Sequence, residues 1–232
     1  GNTPDTHTPS SQQQSTADKL NWVKGPSICG GHFITPTQLK KYPNPPKTLD
    51  PLQFTIKELS QHKSLKTSEE YTCSITDTFK QPGREIHAQR AIITRKNNKI
   101  KQIRMTHSCS LQEASTLFKA KKGKIDFQNN DFNFDDSVFR FTPNPTSPSP
   151  ITYWGSARRI IYAPNKEGFS LINATCSTCN PNNASWTLKA KTIRFDKKKN
   201  KAVVKQAVLR LDKVPILYLP YLSFPLIITS QT

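Results

Sequence analysis

The chain has 232 residues, enough for one well-filled domain with a tail or for two small domains. Its 34 Lys and Arg against 16 Asp and Glu give a formal charge of +18, which suits an anionic partner: nucleic acid, a lipid phosphate surface or an acidic glycolipid. No apolar run is long enough to cross a bilayer as a helix, and no signal peptide stands at this end; because Met105 is the sole methionine, Gly1 is expected to be a processed or engineered end.

Residues 1–50 read as an extended, Pro-rich, partly disordered tail. The first twenty are Ser, Thr, Gln, Asn and Pro, with almost nothing to bury. Tyr42-Pro43-Asn44-Pro45-Pro46 favours polyproline geometry and cannot enter the centre of a sheet. Leu52-Gln53-Phe54-Thr55-Ile56-Lys57 follows as the first alternating strand, with Leu52, Phe54 and Ile56 on one side.

From 51 to 213 the chain favours short strands punctuated by turn signals at Asn97-Asn98, Asn129-Asn130, Glu167-Gly168 and Lys199-Asn200. Residues 110–122 could pass for a helix, but their place in a repeat favours strand. Ala88, Ala120, Ala157 and Ala190 anchor that repeat, 32 to 37 residues apart. Three residues after each comes Ala91, Gly123, Ile160 or Ile193, and five after each comes Ile93, Ile125, Tyr162 or Phe195. A turn follows, then a second strand beginning at Ile100, Phe132, Phe169 or Ala202. Hairpins that cannot bury their own faces must stack, so the predicted fold is all-β: a rolled or sandwiched sheet, open at its ends. In the last of these strands, strict alternation places Val203, Ala207, Leu209 and Leu211 on one face and Val204, Gln206, Val208 and Arg210 on the other. A second Pro-rich break, Thr142 to Pro150, reads as a long loop inside the domain. Residues 214–232 read as a junction. Pro215, Pro220 and Pro225 recur every five residues and lack ladder donors, so this segment cannot be a central strand.

No catalytic constellation emerges: there is no Gly-rich phosphate loop, no H-E-x-x-H and no G-x-S-x-G. Asp135 and Asp136 are adjacent and would face opposite sides of a strand. Neither an enzyme nor a cofactor is expected. The main rival from another class is a basic nucleic-acid-binding β module, built on Lys96, Lys99, Lys101, Arg104, Lys119, Lys121, Lys122 and Lys124. That region is poor in the aromatic platforms single-strand binders need, so nucleic acid is not the expected partner.

Two C-terminal segments carry a family resemblance. Ser177-Thr178-Cys179, then six residues, then Trp186-Thr187-Leu188-Lys189-Ala190, is one. Val214-Pro215-Ile216-Leu217-Tyr218-Leu219-Pro220-Tyr221-Leu222-Ser223-Phe224-Pro225 is the other. With Trp154-Gly155-Ser156-Ala157 and Cys29, they resemble the LptD (OstA-like) family of outer-membrane lipopolysaccharide assembly proteins. The match is specific from about residue 154 to 225 and lies only in repeat pattern from 51 to 150. The resemblance implies a twisted, open β-jellyroll on the periplasmic side of the outer membrane. It would receive lipopolysaccharide from an LptA-like bridge protein and pass the lipid A part towards a C-terminal β-barrel, which in the family is plugged by the lipoprotein LptE. This chain departs from the family just after Pro225, so the barrel is expected to be absent.

Such a sheet could shield acyl chains, at about 25 cal/mol for each Å² of apolar area kept from water. The candidate inner face comprises Phe127, Phe132, Phe134, Phe139, Tyr162, Phe169, Ile193, Phe195, Leu209 and Leu211. Aromatics there fit an ordinary core as well as a lipid slot. The candidate docking edge for the bridge is Leu52, Phe54 and Ile56.

A periplasmic setting permits disulfides. Cys73-Ser74-Ile75-Thr76-Asp77 and Cys109-Ser110-Leu111-Gln112-Glu113 match position by position about one repeat apart, so Cys73 and Cys109 are either a bridge or two buried thiols. The resemblance implies that Cys29 and Cys179 bond to cysteines of the missing barrel. Cys176 is an extra thiol. Its spacing from Cys179 could also suit a redox motif, for which the βαβ context is missing, or half a zinc site completed by His87, His107 or Cys109. No metal is expected.

Overall fold

The repeat steps of three and five residues dictate the architecture. In a regular strand a step of three changes face, so a strand that keeps both residues inward must be broken between them. The computed structural model describes residues 16, 19–24, 31–51, 59–64, 68–73, 77–178 and 185–227. Two short strands, β1 (Trp22–Lys24) and β2 (Gly31–Phe33), pair with each other, and a single helical turn follows at Thr37–Lys40. The main sheet contains β3 (Leu59–Ser64), β4 (Glu69–Cys73), β5 (Asp77–Gln81), β6 (Arg84–Lys96), β7 (Lys99–Gln112), β8 (Thr116–Asp126) and β9 (Asp131–Phe141). It continues through β10 (Tyr153–Ala163), β11 (Gly168–Ser177), β12 (Trp186–Asp196), β13 (Lys201–Leu211) and β14 (Val214–Pro225). The twelve strands are antiparallel in the order β14-β13-β12-β11-β10-β9-β8-β7-β6-β4-β3, with β5 beside β6. This is the expected all-β open roll of stacked hairpins. The stretch 110–122 is strand on both sides of a short connection.

The turn residues perform as their chemistry predicts. Asn97, Asn98, Asn130, Glu167 and Asn200 all take positive φ, between 51° and 59°. Asn tolerates this left-handed conformation because its short side chain bonds locally.

One line of breaks crosses the sheet. Every strand from β6 to β13 turns two consecutive residues outward, three in β7, between inward ones. Ala88 and Ala91 are buried while Gln89 and Arg90 are exposed; Ala157 and Ile160 are buried while Arg158 and Arg159 are exposed. The return strands make the break with left-handed residues: His107 and Ser108 in β7, Asp136 in β9, Asn173 in β11 and Gln206 in β13. Strict alternation along β13 is therefore corrected. Ala202 and Val204 are inward before Gln206, Ala207 and Leu209 are inward after it, and Val203 is not in the core.

The break folds the sheet on itself. Phe118, Phe139, Phe141 and Tyr153 from one half pack across Phe132, Phe134, Phe169 and Phe195 from the other. Ring centroids lie 5.8 Å apart for Phe118–Phe134, 5.1 Å for Phe141–Phe169 and 5.1 Å for Tyr153–Phe195. Each such pair contributes about 0.5–1.5 kcal/mol beyond its buried area. The core is thus two facing half-sheets with the break as their spine.

The ends of the chain carry structure within the expected tail and junction. Leu20, Leu39 and Leu49 are buried, so parts of 1–50 form a strap. Leu20 and Phe33 cover Leu117, Val138 and Trp154 on the outer face of β8–β10. Buried Arg140 ties the strap down, donating from Nε to Leu20 O at 3.1 Å and from Nη2 to Ile34 O at 2.6 Å. Burial lowers its pKa to about 10. At the other end the sheet runs past 213: Val214–Pro225 is an edge strand. Pro220 stands where the break crosses β14, between the Lys205–Tyr221 and Ala207–Leu219 pairs, and Pro215 lies at a register shift. Each proline occupies a place where the ladder is already irregular.

Candidate functional site: the inner face and its closed mouth

Of the inner-face candidates, Phe132, Phe134, Phe139, Tyr162, Phe169, Ile193 and Phe195 are all buried in one cluster, with Phe127 and Leu209 packed against it. The fold brings them together as a filled core in its middle. Leu211 is the exception, 44% exposed. It sits where the inner face runs on without a facing layer: Leu209 pairs with Leu217, and Leu217 is 50% exposed. Apolar inner surface is therefore closed from β6 through the Ala202–Ala207 part of β13 and uncovered around Leu211 and Leu217, at one end of β13–β14.

The two half-sheets meet again opposite the spine, where a polar cluster shuts the mouth. Arg84 at the start of β6 donates from Nε to Glu113 Oε2 at 2.8 Å and from Nη1 to Gln81 Oε1 at 2.6 Å. Its Nη2 donates to Pro46 O at 2.8 Å. From the opposite half, Tyr162 donates its hydroxyl proton to Glu113 Oε1 at 2.8 Å. The guanidinium also lies 5.5 Å from the Phe132 ring centroid. Burial pulls the Arg84 pKa down, but the Glu113 charge and the Tyr162 bond hold it above its ordinary value. Burial first, then Glu113, pushes the Tyr162 phenol well up, so it stays a donor. The strap crosses this mouth. Gln81 Nε2 donates to Thr48 O at 2.8 Å, and Lys47 reaches Glu167 at 3.0 Å on the surface. Beside it lies a cleft of about 360 Å³ bounded by Pro45, Lys47, Tyr162, Phe169 and Lys197.

Sequence reasoning missed Arg84, because a charged residue beside a Gln-Pro-Gly turn reads as surface, and Glu113, because its partner lies 29 residues away. Phe118 was legible: it stands two residues before anchor Ala120, as Ile86 does before Ala88 and Leu188 before Ala190.

The proposed Cys73–Cys109 bridge is not formed. Cys109 is a free, buried thiol. Cys73 pairs with Ala91 and Cys109 with Ala88, so β6 runs between them. Two strand spacings are about 9.6 Å, beyond the roughly 7 Å limit between bridged Cα atoms. Cys176 is also free and buried. Burial raises both thiols to about 12, with Asp135 adding to the shift at Cys109. Cys29, Cys179, Leu52, Phe54 and Ile56 lie outside the described residues. Among the described residues no three of His, Cys, Asp and Glu converge as metal ligands.

Gly155, in the Trp154-Gly155-Ser156-Ala157 motif, has a physical reason to be glycine: a Cβ there would collide with the carbonyl of Thr175 on β11.

No family model matches the chain. Among curated proteins, it is 30% identical over 184 residues to the LPS-assembly protein LptD of Legionella pneumophila (strain Paris), covering 78% of this chain and 22% of that protein. It is 27% identical over 227 residues to the LPS-assembly protein LptD of Coxiella burnetii (strain RSA 493 / Nine Mile phase I), covering 92% of this chain and 25% of that protein. A solved structure, LptH, the LptA homologous periplasmic component of the lipopolysaccharide transport device from Pseudomonas aeruginosa, overlaps 61% of this chain and 93% of its own at a TM-score of 0.40 and 12% identity. The chain spans between 20% and 25% of the length of the LptD relatives it matches at greatest extent. Over most of its length, then, this chain is homologous to the LPS-assembly protein LptD.

Proposed function

We propose that this chain is the lipid-carrying domain of a lipopolysaccharide transporter on the periplasmic side of the outer membrane. Its work is transport and not catalysis. The observation that carries the reading is the inner face, apolar along every strand from β6 to β14 yet uncovered only around Leu211 and Leu217, at one end of β13–β14. Acyl chains enter between the half-sheets when the mouth parts. They lie along Phe132, Phe134, Phe139, Tyr162, Phe169, Ile193 and Phe195, and leave past Leu209 and Leu211. The filled core is the resting state: the aromatic pairs keep the slot dry until lipid replaces them. Lys47 and Lys197, at the cleft beside the mouth, suit the phosphates of the headgroup.

The family resemblance supplies the partners. An LptA-like bridge protein delivers lipid by strand addition at Leu52, Phe54 and Ile56, which precede the sheet's terminal strand β3 in the sequence. A C-terminal barrel with its LptE lipoprotein receives the lipid beyond β14. Cys29 and Cys179 are the residues for bonds to that barrel.

Photo-crosslinking tests the reading. Crosslinkers at Phe132, Tyr162 and Leu211 should capture lipopolysaccharide, while those at outward Val208 and Arg210 should not. Capture at Val208 and Arg210 alone would overturn it.

A further inference from the structure

The break that folds the sheet also forms the crest of its outer surface, because each strand there turns two residues outward. Those positions need only be polar. Instead seven of them are Lys or Arg and two are Asp. Arg90 on β6, Lys121 and Lys122 on β8, Arg158 and Arg159 on β10, Lys191 on β12 and Lys205 on β13 are all exposed. Asp135 and Asp136 on β9 are the acidic residues of this row, and Asp135 engages Arg159 at 3.1 Å. From β6 to β13 the row crosses seven strand spacings, about 34 Å. At its end, Tyr221 stands opposite Lys205 and is 58% exposed. Near its start, a cleft of about 510 Å³ opens between Lys19, Lys119, Lys121 and Asp136, with Ala88 and Ala120 at its base.

We propose that this crest docks the chain on an anionic phospholipid bilayer, the cleft taking one headgroup. A predominantly cationic row ending in an exposed tyrosine is the arrangement that interfacial binding rewards: charge meets the headgroups and the phenol sits at their level. A convex edge fits a fluid surface, which moulds to it, better than it fits a preformed partner. Single-stranded nucleic acid would need stacking aromatics between the cations, and the row has one tyrosine, at its end.

Vesicle co-sedimentation tests this, with phosphatidylcholine alone and with about one third phosphatidylglycerol. The chain should bind the anionic vesicles at least about tenfold better, and less so as salt rises. Lys121→Glu, Lys122→Glu, Arg158→Glu and Lys191→Glu together should lower that binding at least about tenfold. The same reversal at the exposed turn residues Lys96, Lys99, Lys198 and Lys199 should lower it by no more than about twofold, since those lie off the crest. Glutamine replacements at the four crest positions keep the test valid if the reversals disturb folding. Equal losses from both sets would reduce the effect to net charge and overturn the proposal. So would a crest variant that loses lipopolysaccharide micelles or duplex DNA while keeping phosphatidylglycerol vesicles.

Discussion

Arg84 Nε and Glu113 Oε2 lie 2.8 Å apart, with their side chains 0% and 3% exposed. A pair so far from water is held by its partners, and losing one charge strands the other. Arg84→Met or Glu113→Leu alone should destabilise the chain by about 3–5 kcal/mol in urea titrations. The double variant should recover most of that, because two apolar side chains leave no buried charge. Additive losses in the double variant would show that the two side chains do not act as a pair.

The break line makes a second prediction. Gln206 sits at φ 50° in the middle of β13, a conformation that opposes an ordinary side chain by about 1–2 kcal/mol. Gln206→Gly should therefore raise stability by about 0.5–1 kcal/mol, whereas Gln206→Val should lower it by at least about 1 kcal/mol. Thermal melts at matched concentration would show both directions. A stabilising valine would mean that β13 runs straight through this point in solution.

That break explains which parts of the fold were legible. Ala190 followed by Ile193 at a three-residue step is visible in the sequence, and four repeats of it place the inward residues correctly. Alternation applied to β13 failed because Gln206 gives no local sign of a left-handed conformation; glycine or asparagine would have. Arg84 and Glu113 were illegible for a different reason. Nothing along the chain shows that two charged residues 29 apart meet inside the mouth. The Cys73–Cys109 pairing assumed that equivalent repeat positions are neighbours, but consecutive units are separated by a full strand. The uncovered inner face at Leu211 and Leu217 depends on what fails to pack there, which no pattern of residues states.

Glycine chemistry supplies a third prediction. A methyl group at Gly155 meets the backbone carbonyl of Thr175, whereas at Gly123 it meets Cys109 Sγ, Met105 Cε and Phe134 Cδ1 at 3.0 Å each. Side-chain tips can move by a few tenths of an ångström and a ladder carbonyl cannot. Gly123→Ala should thus destabilise by about 1–2 kcal/mol, and Gly155→Ala by more than about 3 kcal/mol, as overpacking against rigid and yielding neighbours differs. Chemical denaturation ranks them; the reverse order would mean that β10 and β11 separate at this point.

The two buried thiols predict an alkaline weakness. In the folded chain Cys109 and Cys176 ionise at about 12, against 9.0 when free of burial. A thiol held neutral by folding stabilises nothing extra below 9.0, where both states are protonated, and loses ground as pH rises from there towards 12 while the unfolded chain ionises. At pH about 10.5 each thiol should lower stability by about 2 kcal/mol relative to pH about 8. Comparing wild type with Cys176→Ala at both values isolates the effect from the titrating lysines. The variant's decline should be smaller by that amount, and an equal decline would place Cys176 in contact with water.

The edge strand gives the sharpest separation between holding the fold and meeting a partner. On β14, Leu222 pairs with Val204 and Phe224 with Ala202, which turns both onto the core. Tyr218 and Tyr221 pair with Val208 and Lys205 on the outer side and are 59% and 58% exposed. Packing therefore depends on one set and not the other. Phe224→Ala should lower stability by about 1–3 kcal/mol, since its half-buried ring also stacks on Tyr153 at 6.0 Å. Tyr218→Ser with Tyr221→Ser should change it by less than about 0.5 kcal/mol, as surface substitutions do. If β14 meets a membrane or another protein surface, the tyrosine variant should keep its melting temperature and lose that association. A melting temperature lowered as far by the tyrosine pair as by Phe224→Ala would make β14 a strap that closes the sheet, with no contact surface of its own.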